Sequence, residues 1–589
     1  MRVPFRSFEP SRTEGSAPRV RYPRPREAGN SLIHGQPRLP VETTDQLHEI
    51  SVRPPDSRVA TRARPRGQLL TRDGLFLVAI ALLVLQLGIR SPIGDPDLGW
   101  HLKGGEYVWR HAWPPTTDEF SYTIHGQPWI AYSWLAELVF WLLADRVGFH
   151  ALILFCAALV AAAFVVVYFT CRGAGASPHA AFVATVLGAI ATAPAMTQRP
   201  GLASFLFGAL FWRATVRWRE RVPVRLWVLV PLTVLWANVH VFFVFGLAWL
   251  WAAVLWELAE RFTRRQFTPR PGLPALVLTA LLCSAAVLVN PYGIRLVTHV
   301  LEMGTQPSAL PTIIEYMSPD FHGPDVLLIP LLLALIGVLA WTVARPDAFH
   351  LVLVLTHTAA ALYMRRNVPF LAIVAAPMLA LAATRAFAPG RVQPSPGLIR
   401  AQTLLVLAIA ALTIRAIPTH AEFERNVRTD YFPVEAVRFL KAQPSLGRML
   451  NTFNWGGFLI YTLYPRYQVS IDGRGGAYGE QFLREYLSAQ SGGKGWQAYV
   501  DRLAPDFVLC ERDGSLAALL AENPRWTQVY ADKVAAIFVR SDHPDRARLD
   551  HRRQERDSTP NDTAASAPLG GAAAHGGRPS GPLARARSV

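Results

Sequence analysis

VFFVFGLAWLWAAVLWEL, residues 241–258, is eighteen residues long and carries a single charged side chain, Glu257. A helix needs roughly 17 to 25 mostly apolar residues to cross the hydrocarbon core of a bilayer. This stretch meets that length, and Val326 to Ala344 meets it again. Outward from 241–258 in both directions, runs of the same kind fill residues 74 to 417, while both ends of the chain are polar. The pattern is that of a polytopic α-helical membrane protein.

Of the 589 residues 51% are hydrophobic, only slightly more than in a soluble protein, so the average hides this segregation. A formal charge of +17, from 59 basic and 42 acidic residues, would suggest nucleic acid if the protein were soluble. Here nearly all the basic residues are arginines, placed in the tails and in short loops between apolar runs, and no recognition motif accompanies them. Membrane orientation accounts for the charge, and nucleic acid is not expected as a partner. Cys156, Cys171, Cys283 and Cys510 form no CxxC pair, and three of them lie in apolar runs. That argues against a zinc site or a disulfide framework. Residues 1–73, rich in Arg, Pro and Ser, are expected to be a disordered cytoplasmic tail. They are too long for a cleaved signal peptide and lack its short apolar core. Residues 542–589 are expected to be a second disordered tail.

Arginine sets the orientation. The first span, Gly74 to Ile89, follows many arginines, so its N-terminal side is expected in the cytoplasm. Residues 90–148 then form an outer loop. Within it Trp134 to Val147 is apolar but 14 residues long and carries Glu137 and Asp145, which suits an interfacial helix better than a span. Further spans are expected at 149–171, 179–196, 201–216, 225–237, 241–260, 273–290, 325–343, 349–364, 368–385 and 400–417, about eleven in all. Alternation then puts three Arg-rich loops inside, around Arg213 to Arg225, Arg261 to Arg270, and Arg385 to Arg400. If 134–147 crossed fully, all three would face out, so charge supports the odd count.

The same alternation brings the polar clusters to the outer face. These are Asp95-Pro96-Asp97 with His101, Gln198-Arg199-Pro200, Asn238-Val239-His240, Asn290-Pro291-Tyr292-Gly293, Glu315-Tyr316 and Arg365-Arg366-Asn367. Any one of them reads equally as a solvated loop or a helix cap. Their agreement on one side is the stronger signal. Asp95 and Asp97, two apart in an extended segment, can share a divalent cation such as Mg or Mn, or one can act as a general base. The bland alternative is an N-cap for a helix from Leu98 to Arg110. No cofactor other than that metal is expected. His101 falls four residues after Asp97, as a metal ligand, a proton partner of Asp97 or an exposed helix residue. Asn238 and His240 end a span, for helix-terminal hydrogen bonds or for binding substrate. Glu315 lies in the long outer loop 291–324, which could cover a site.

The outer loop continues with Gly104-Gly105, then Pro114-Pro115-Thr116-Thr117-Asp118-Glu119-Phe120-Ser121-Tyr122, Gly126-Gln127-Pro128-Trp129 and Trp134-Leu135-Ala136-Glu137. An acidic pair just after the first span, followed by these elements, resembles the bacterial membrane glycosyltransferases of the GT-C superfamily, which includes protein mannosyltransferases and lipid A aminoarabinose transferases. Arg199-Pro200, Trp236-Ala237-Asn238-Val239-His240, Asn290-Pro291-Tyr292-Gly293, Arg365-Arg366-Asn367-Val368-Pro369, Asn454-Trp455-Gly456-Gly457-Phe458 and Ile471-Asp472-Gly473-Arg474 resemble an uncharacterised branch of it, over about residues 74 to 541. The resemblance implies sugar transfer on the outer, periplasmic face of a bacterial inner membrane. The donor would be a polyprenyl-phosphate-linked sugar and the acceptor an envelope glycan, lipid or protein. Asp95 and Asp97 would be catalytic, one carboxylate deprotonating the acceptor hydroxyl as it inverts the anomeric carbon. Where the protein mannosyltransferases carry His-Pro-Pro, this chain reads Ala131-Tyr132-Ser133-Trp134. Arg199, Arg365 and Arg366 break the positive-inside pattern by facing out, and the planar fork of Arg suits a phosphate. One or more of them is expected to hold the lipid phosphate, against the alternative that they snorkel to the headgroups.

Residues 418–541 mix helix and strand signals and read as a small α/β periplasmic domain. Helices are expected at Pro433 to Gln443, Trp455 to Tyr464 and Glu480 to Leu487. Strands are expected at Gly447 to Thr452, Tyr467 to Ile471, Asp506 to Cys510 and Val534 to Val539. Asp472-Gly473-Arg474 reads chiefly as a turn. No glycine-rich nucleotide fingerprint occurs, so a soluble nucleotide-sugar donor is not expected. Two other readings are a transporter or flippase for lipid-linked saccharides, which should show repeats and broken helices, and a non-catalytic assembly protein, which should tolerate Asn at 95 and 97.

Overall fold

The computed structural model describes residues 72–89, 94–264, 272–305, 314–323, 331–332, 335, 347–387, 396–415 and 428–551. The helices of the first two-thirds are α1 (Arg72–Ile89), α2 (Leu98–His111), α3 (Trp134–Arg146), α4 (Phe149–Gly173), α5 (Pro178–Thr192), α6 (Ala203–Arg219) and α7 (Leu229–Val239). They continue with α8 (Phe243–Arg264), α9 (Leu273–Ala286), α10 (Ile294–Thr305), α11 (Ala348–Tyr363), α12 (Val368–Ala386) and α13 (Pro396–Arg415). Ten of the eleven expected spans coincide with these helices, and most of the eleventh, 325–343, falls outside the described residues. Among the described residues five helical stretches are long and apolar enough to cross a membrane: Arg72–Ile89, Phe149–Gly173, Pro178–Ala195, Phe243–Thr263 and Arg365–Ala386. Shorter apolar helices cover Leu226–Val239, Leu273–Ala286 and Ala348–Tyr363. The chain is a membrane protein with a mostly helical body.

Local sequence explains how the helices start. Ser177 caps α5 by accepting from the Ala180 amide at 3.3 Å, with Pro178 in the first turn, where its missing N–H costs nothing. Pro369 serves α12 in the same way. Helix α12 is the buried centre, packed against α4, α5, α6 and α11.

Polar contacts identify one end of the bundle. Arg172 at the end of α4 pairs with Asp73 at the start of α1, at 2.9 Å. The Ser177 amide before α5 donates to Thr384 near the end of α12, at 2.9 Å. Arg219, last in α6, reaches Asp347, just before α11, at 3.3 Å. Starts of α1, α5 and α11 thus meet ends of α4, α6 and α12, as the alternation requires. At the other end the Arg365 amide donates to Met317 O at 3.0 Å. Met317 and Asp347, which flank the expected span 325–343, therefore sit at opposite ends.

Helices α2 and α3 run side by side from that second end. Gly104 and Gly105 allow the approach, since a Cβ on Gly105 would lie 2.1 Å from Glu137 O. Their far ends carry Trp109, Trp141 and Arg146, with Trp109 half exposed, a combination suited to a membrane interface.

The C-terminal part holds a four-stranded mixed sheet in the order β1-β2-β4-β3, with β1 Met449–Asn451, β2 Phe507–Glu511, β3 Trp526–Ala531 and β4 Ala535–Arg540. β1 is parallel to β2, with Leu450 opposite Val508, and the other pairs are antiparallel, with Leu509 opposite Ile537. Alternate residues face two cores: Leu509 and Ile537 join the main core, Val508 and Phe538 a second one. Expected helices appear as Val434–Lys441, Gly456–Leu463 and Glu480–Gln490. Two expectations change. Tyr467 to Ile471 is not a strand of the sheet; its backbone partners come from the outer loop, where Val469 N donates to Phe120 O and Tyr122 N to Val469 O, both at 3.1 Å. β3, with a register shift between Gln528 and Tyr530, was not expected at all. Past residue 541 the described chain continues to His551, with Leu549 buried and Arg548 donating to Gln443 Oε1 at 2.9 Å.

Candidate active site

Where α1, α5, α7 and α11 end and α2, α6, α8 and α12 begin, a cavity of about 560 Å³ opens, roofed by the C-terminal part of the chain. Seven of the nine residues singled out in the sequence line it: Asp97, His101, Arg199, His240, Glu315, Arg365 and Arg366.

Asp95 and Asp97 converge on one guanidinium. Asp95 is buried; its Oδ1 accepts from the Asp97 amide at 2.9 Å and its Oδ2 from Arg199 Nε. Asp97 faces the cavity, with Oδ2 3.2 Å from Arg199 Nη2 and Oδ1 accepting from Trp100 Nε1 at 3.1 Å. Glu315 takes a third side of Arg199. Arg199 stands just before a short 3₁₀ turn, Pro200–Leu202, in extended backbone that Pro200 favours. Burial raises the Asp97 carboxyl above the ordinary aspartate range; Arg199 pulls it back down and Asp95 adds to the rise. The space between the three carboxylates is thus filled by a guanidinium. Among the described residues no group of three or more His, Cys, Asp and Glu side chains is placed to hold a metal ion.

His101 turns from Asp97 to a different acid. Its Nδ1 lies 3.0 Å from Glu137 Oε1, which also accepts from Ser133 Oγ at 2.6 Å. Glu137 is fully buried and lines the cavity. Sequence reading treated it as a charge in an interfacial helix; the signal for more was a carboxylate in an otherwise apolar turn beside Ser133.

Arg366 lies between two aromatic faces, 4.7 Å from the Phe242 ring and 4.5 Å from the Tyr316 ring. No carboxylate partners it among the described residues. Arg365 lines the same wall. His240 is buried, its Nδ1 3.3 Å from Ser204 Oγ, and burial first, then Arg366, hold its pKa well below the ordinary imidazole value.

Of the two expectations for Asn238, the structure shows the helix-terminal hydrogen bonds. It lies outside the cavity lining, and its amide is taken by protein: Oδ1 accepts from Trp134 Nε1 at 2.9 Å, and Nδ2 donates to Val234 O and Val289 O at 2.8 Å. It fastens α3 to α7 and α9. Tyr292 of the Asn290-Pro291-Tyr292-Gly293 motif is likewise a fastener, its hydroxyl donating to Pro115 O at 2.8 Å and accepting from the Ala131 amide at 3.1 Å.

The C-terminal part supplies a wall that sequence reading took for a turn. Arg474 is buried and donates to Asp118 of the outer loop at 2.5 Å and to Asp472 at 2.6 and 2.9 Å. Its guanidinium lies 4.6 Å from the Trp129 ring, and Tyr478 donates to Asp472 at 2.7 Å. Gly473 presses on the acidic pair: a Cβ there would fall 1.6 Å from Asp97 Oδ1. Gly457 packs on Pro96 and on Gly99 as closely.

No family model matches the chain, and no curated protein matches it. Among solved structures it is similar to the oligosaccharyltransferase AglB of Archaeoglobus fulgidus in complex with an inhibitory peptide and a dolichol-phosphate. That match has a TM-score of 0.49 and 11% identity, over 80% of this chain and 74% of that one. The apo form of the Archaeoglobus fulgidus oligosaccharyltransferase gives 0.49 and 12%, over 74% and 69%. ArnT from Cupriavidus metallidurans in the apo state gives 0.43 and 12%, over 79% and 97%.

Proposed function

We propose that this protein is a membrane glycosyltransferase that moves a sugar from a polyprenyl-phosphate-linked donor to an envelope acceptor at the periplasmic face. The observation that carries the reading is Arg366. It is a cavity-lining guanidinium held rigid by two rings, without a carboxylate partner among the described residues, in the same cavity as Asp97. A fixed cation in a partly dry cavity wants an anion, and a phosphate takes a guanidinium fork in paired hydrogen bonds. Arg366, with Arg365 beside it, holds the donor phosphate and stabilises the negative charge that develops as the sugar leaves.

The acceptor hydroxyl gives its proton to Asp97, the member of the acidic pair that faces the cavity. Its oxygen bonds to the anomeric carbon from the face opposite the phosphate, the carbon–oxygen bond to phosphate breaks, and the lipid phosphate leaves with the electron pair. Asp95 serves by anchoring Arg199, which keeps Asp97 in place. Glu315 binds from the loop side.

Transfer of radiolabel from a polyprenyl-phosphate sugar pool into membrane glycan, with wild type beside Asp97→Asn and Arg366→Leu, tests the reading. Loss in both variants is expected. Wild-type transfer in both would reject it.

A further inference from the structure

His240 ends α7 in extended backbone and lies in the cavity wall, 8% exposed. The hydrogen bonds behind it decide which ring nitrogen carries the proton. Trp236 Nε1 donates to Ser204 Oγ at 2.9 Å, and an indole N–H can only donate. The buried Ser204 hydroxyl therefore turns its own proton to His240 Nδ1, 3.3 Å away. The Phe242 amide points a second proton at the same Nδ1, at 3.4 Å. A hydrogen on Nδ1 would set donor against donor on both sides, which is costly in a buried place. Nδ1 is thus the acceptor and Nε2 carries the proton. The protein makes no use of that proton: Nε2 has no partner among the described residues. The ring edge that carries it faces Gly201, also in the lining, where a Cβ would stand 3.4 Å from Nε2. Tyr132 meets the ring edge-to-face at 5.8 Å. Burial first, then Arg366, His101 and Arg199, keep a second proton off the imidazole, so it is neutral.

We propose that His240 is a catalytic residue of the transfer, its Nε2–H donating a hydrogen bond to the phosphate of the donor beside Arg366. The inference rests on the glycosyltransferase reading and deepens it by giving the phosphate site a second, uncharged member. Phe242 joins the two: its ring lies 4.4 Å from the His240 ring and 4.7 Å from the guanidinium carbon of Arg366. When the bond between the anomeric carbon and the phosphate oxygen breaks, the electron pair stays on that oxygen. An N–H already aimed at it binds more strongly as the charge grows, and keeps its proton throughout. A neutral donor suits this place better than a second cation, which would repel Arg366 and lose its hydration. The Trp236–Ser204 chain holds the ring in that direction before substrate arrives, so no reorientation is needed at the moment of reaction.

The test uses the full chain in detergent, with His240→Gln, His240→Asn and His240→Phe beside wild type. The probe is polyprenyl phosphate, which carries no sugar, titrated by intrinsic fluorescence, with label transfer and thermal unfolding measured alongside. A glutamine amide reaches the place of Nε2, whereas an asparagine amide reaches only that of Nδ1. Phosphate affinity is expected to stay within about threefold of wild type with glutamine and to fall about tenfold or more with asparagine and phenylalanine, the strength of a hydrogen bond to a charged group. Transfer should follow the same order. The comparison of glutamine with asparagine decides the matter should the phenylalanine variant fold poorly. Because the donor is neutral, the ratio of wild-type to glutamine-variant affinity is expected to hold constant from pH 5.5 to 8. A ratio that grows as pH falls would reveal an imidazolium and overturn the proposal. So would a glutamine variant as weak as asparagine at wild-type melting. Undiminished phosphate binding in both the asparagine and phenylalanine variants would overturn it too, and a fall in transfer alone would then give His240 to a sugar hydroxyl. Failure of the underlying reading looks different: wild type would then bind no polyprenyl phosphate at all.

Discussion

Replacing Arg366 by leucine removes the cavity's guanidinium that is held between the Phe242 and Tyr316 rings. Hydrogen bonds to a charged group are worth about 1.5–3 kcal/mol each. With a tenfold change for each 1.4 kcal/mol or so, loss of one such bond weakens polyprenyl phosphate binding by about 10- to 150-fold. The cost to the fold is separable and small. No acid among the described residues depends on Arg366, so no buried carboxylate is orphaned, and what disappears is two ring contacts of about 0.5–1 kcal/mol each. Arg366→Lys keeps the charge and loses the fork, and falls between wild type and leucine. The assay is equilibrium binding of polyprenyl phosphate to the detergent-solubilised chain, with thermal unfolding alongside. Binding by Arg366→Leu equal to wild type would remove the phosphate assignment. A melting loss as large as that of a buried ion-pair variant would show that Arg366 holds the fold instead.

Three other substitutions give contrasting results. Asp97→Asn is expected to lower transfer by about 10²- to 10⁴-fold, the range for losing a general base. Burial raises the Asp97 carboxyl, so its favourable contribution to the fold is present at low pH and lost as pH rises through the raised value. The asparagine variant therefore gains stability relative to wild type as pH increases, and wild-type transfer declines as pH falls through the same value; melting and transfer measured from pH 4 to 8 check both signs. Arg474→Met leaves Asp118 and Asp472 buried without their cation, a loss of about 3–5 kcal/mol, and proteolysis should then release the C-terminal part from the bundle. Asn238→Ala strips the partners of Trp134 Nε1 and Val289 O and should lower stability by about 1–3 kcal/mol without altering polyprenyl phosphate affinity.

Much of this molecule is legible in its sequence because a bilayer imposes a strong, local rule. Span length and arginine placement are read one segment at a time, and ten expected spans fall on helices. The meeting of Asp97, Arg199, Glu315 and Arg366 was also reachable, since alternation alone sends their loops to one end. Pairing within that end was not. His101 sits one turn after Asp97, yet its imidazole is claimed by Glu137 from a parallel neighbouring helix, a choice made by the glycine contact between α2 and α3. Asn238 reads equally as a ligand group or a helix-terminal donor, and local sequence does not choose between them, because a buried amide is satisfied by whatever carbonyls happen to be near. The strand expected at 467–471 failed for the same reason: its backbone partners lie about 350 residues away in sequence, in residues 120–122, and no local pattern encodes them.

The charges in the cavity are sorted, and the sorting limits what can bind where. Asp95, Asp97 and Glu315 surround Arg199, and Glu137 holds His101, so this half carries more acid than permanent cation. Arg366, stacked between the Phe242 and Tyr316 rings and without a carboxylate partner among the described residues, places a positive charge elsewhere in the lining. A phosphate brought against the acidic half would meet like charge in a partly dry space, which is costly, so the anionic end of a donor has one stable place. A hydroxyl about to lose its proton gains from the opposite half. The two halves are joined through Asp97, and Gly473 of the C-terminal part presses on that same carboxylate, with no room for even one methyl group. A side chain at position 473 would therefore have to displace the Asp97 carboxylate or push the C-terminal part away from it. Gly473→Ala, far from Arg366 in sequence, should therefore lower the transfer rate while leaving polyprenyl phosphate affinity intact. A drop in both together, with melting unchanged, would mean that the two halves are not independent and that the sorting of charge is not what positions the donor.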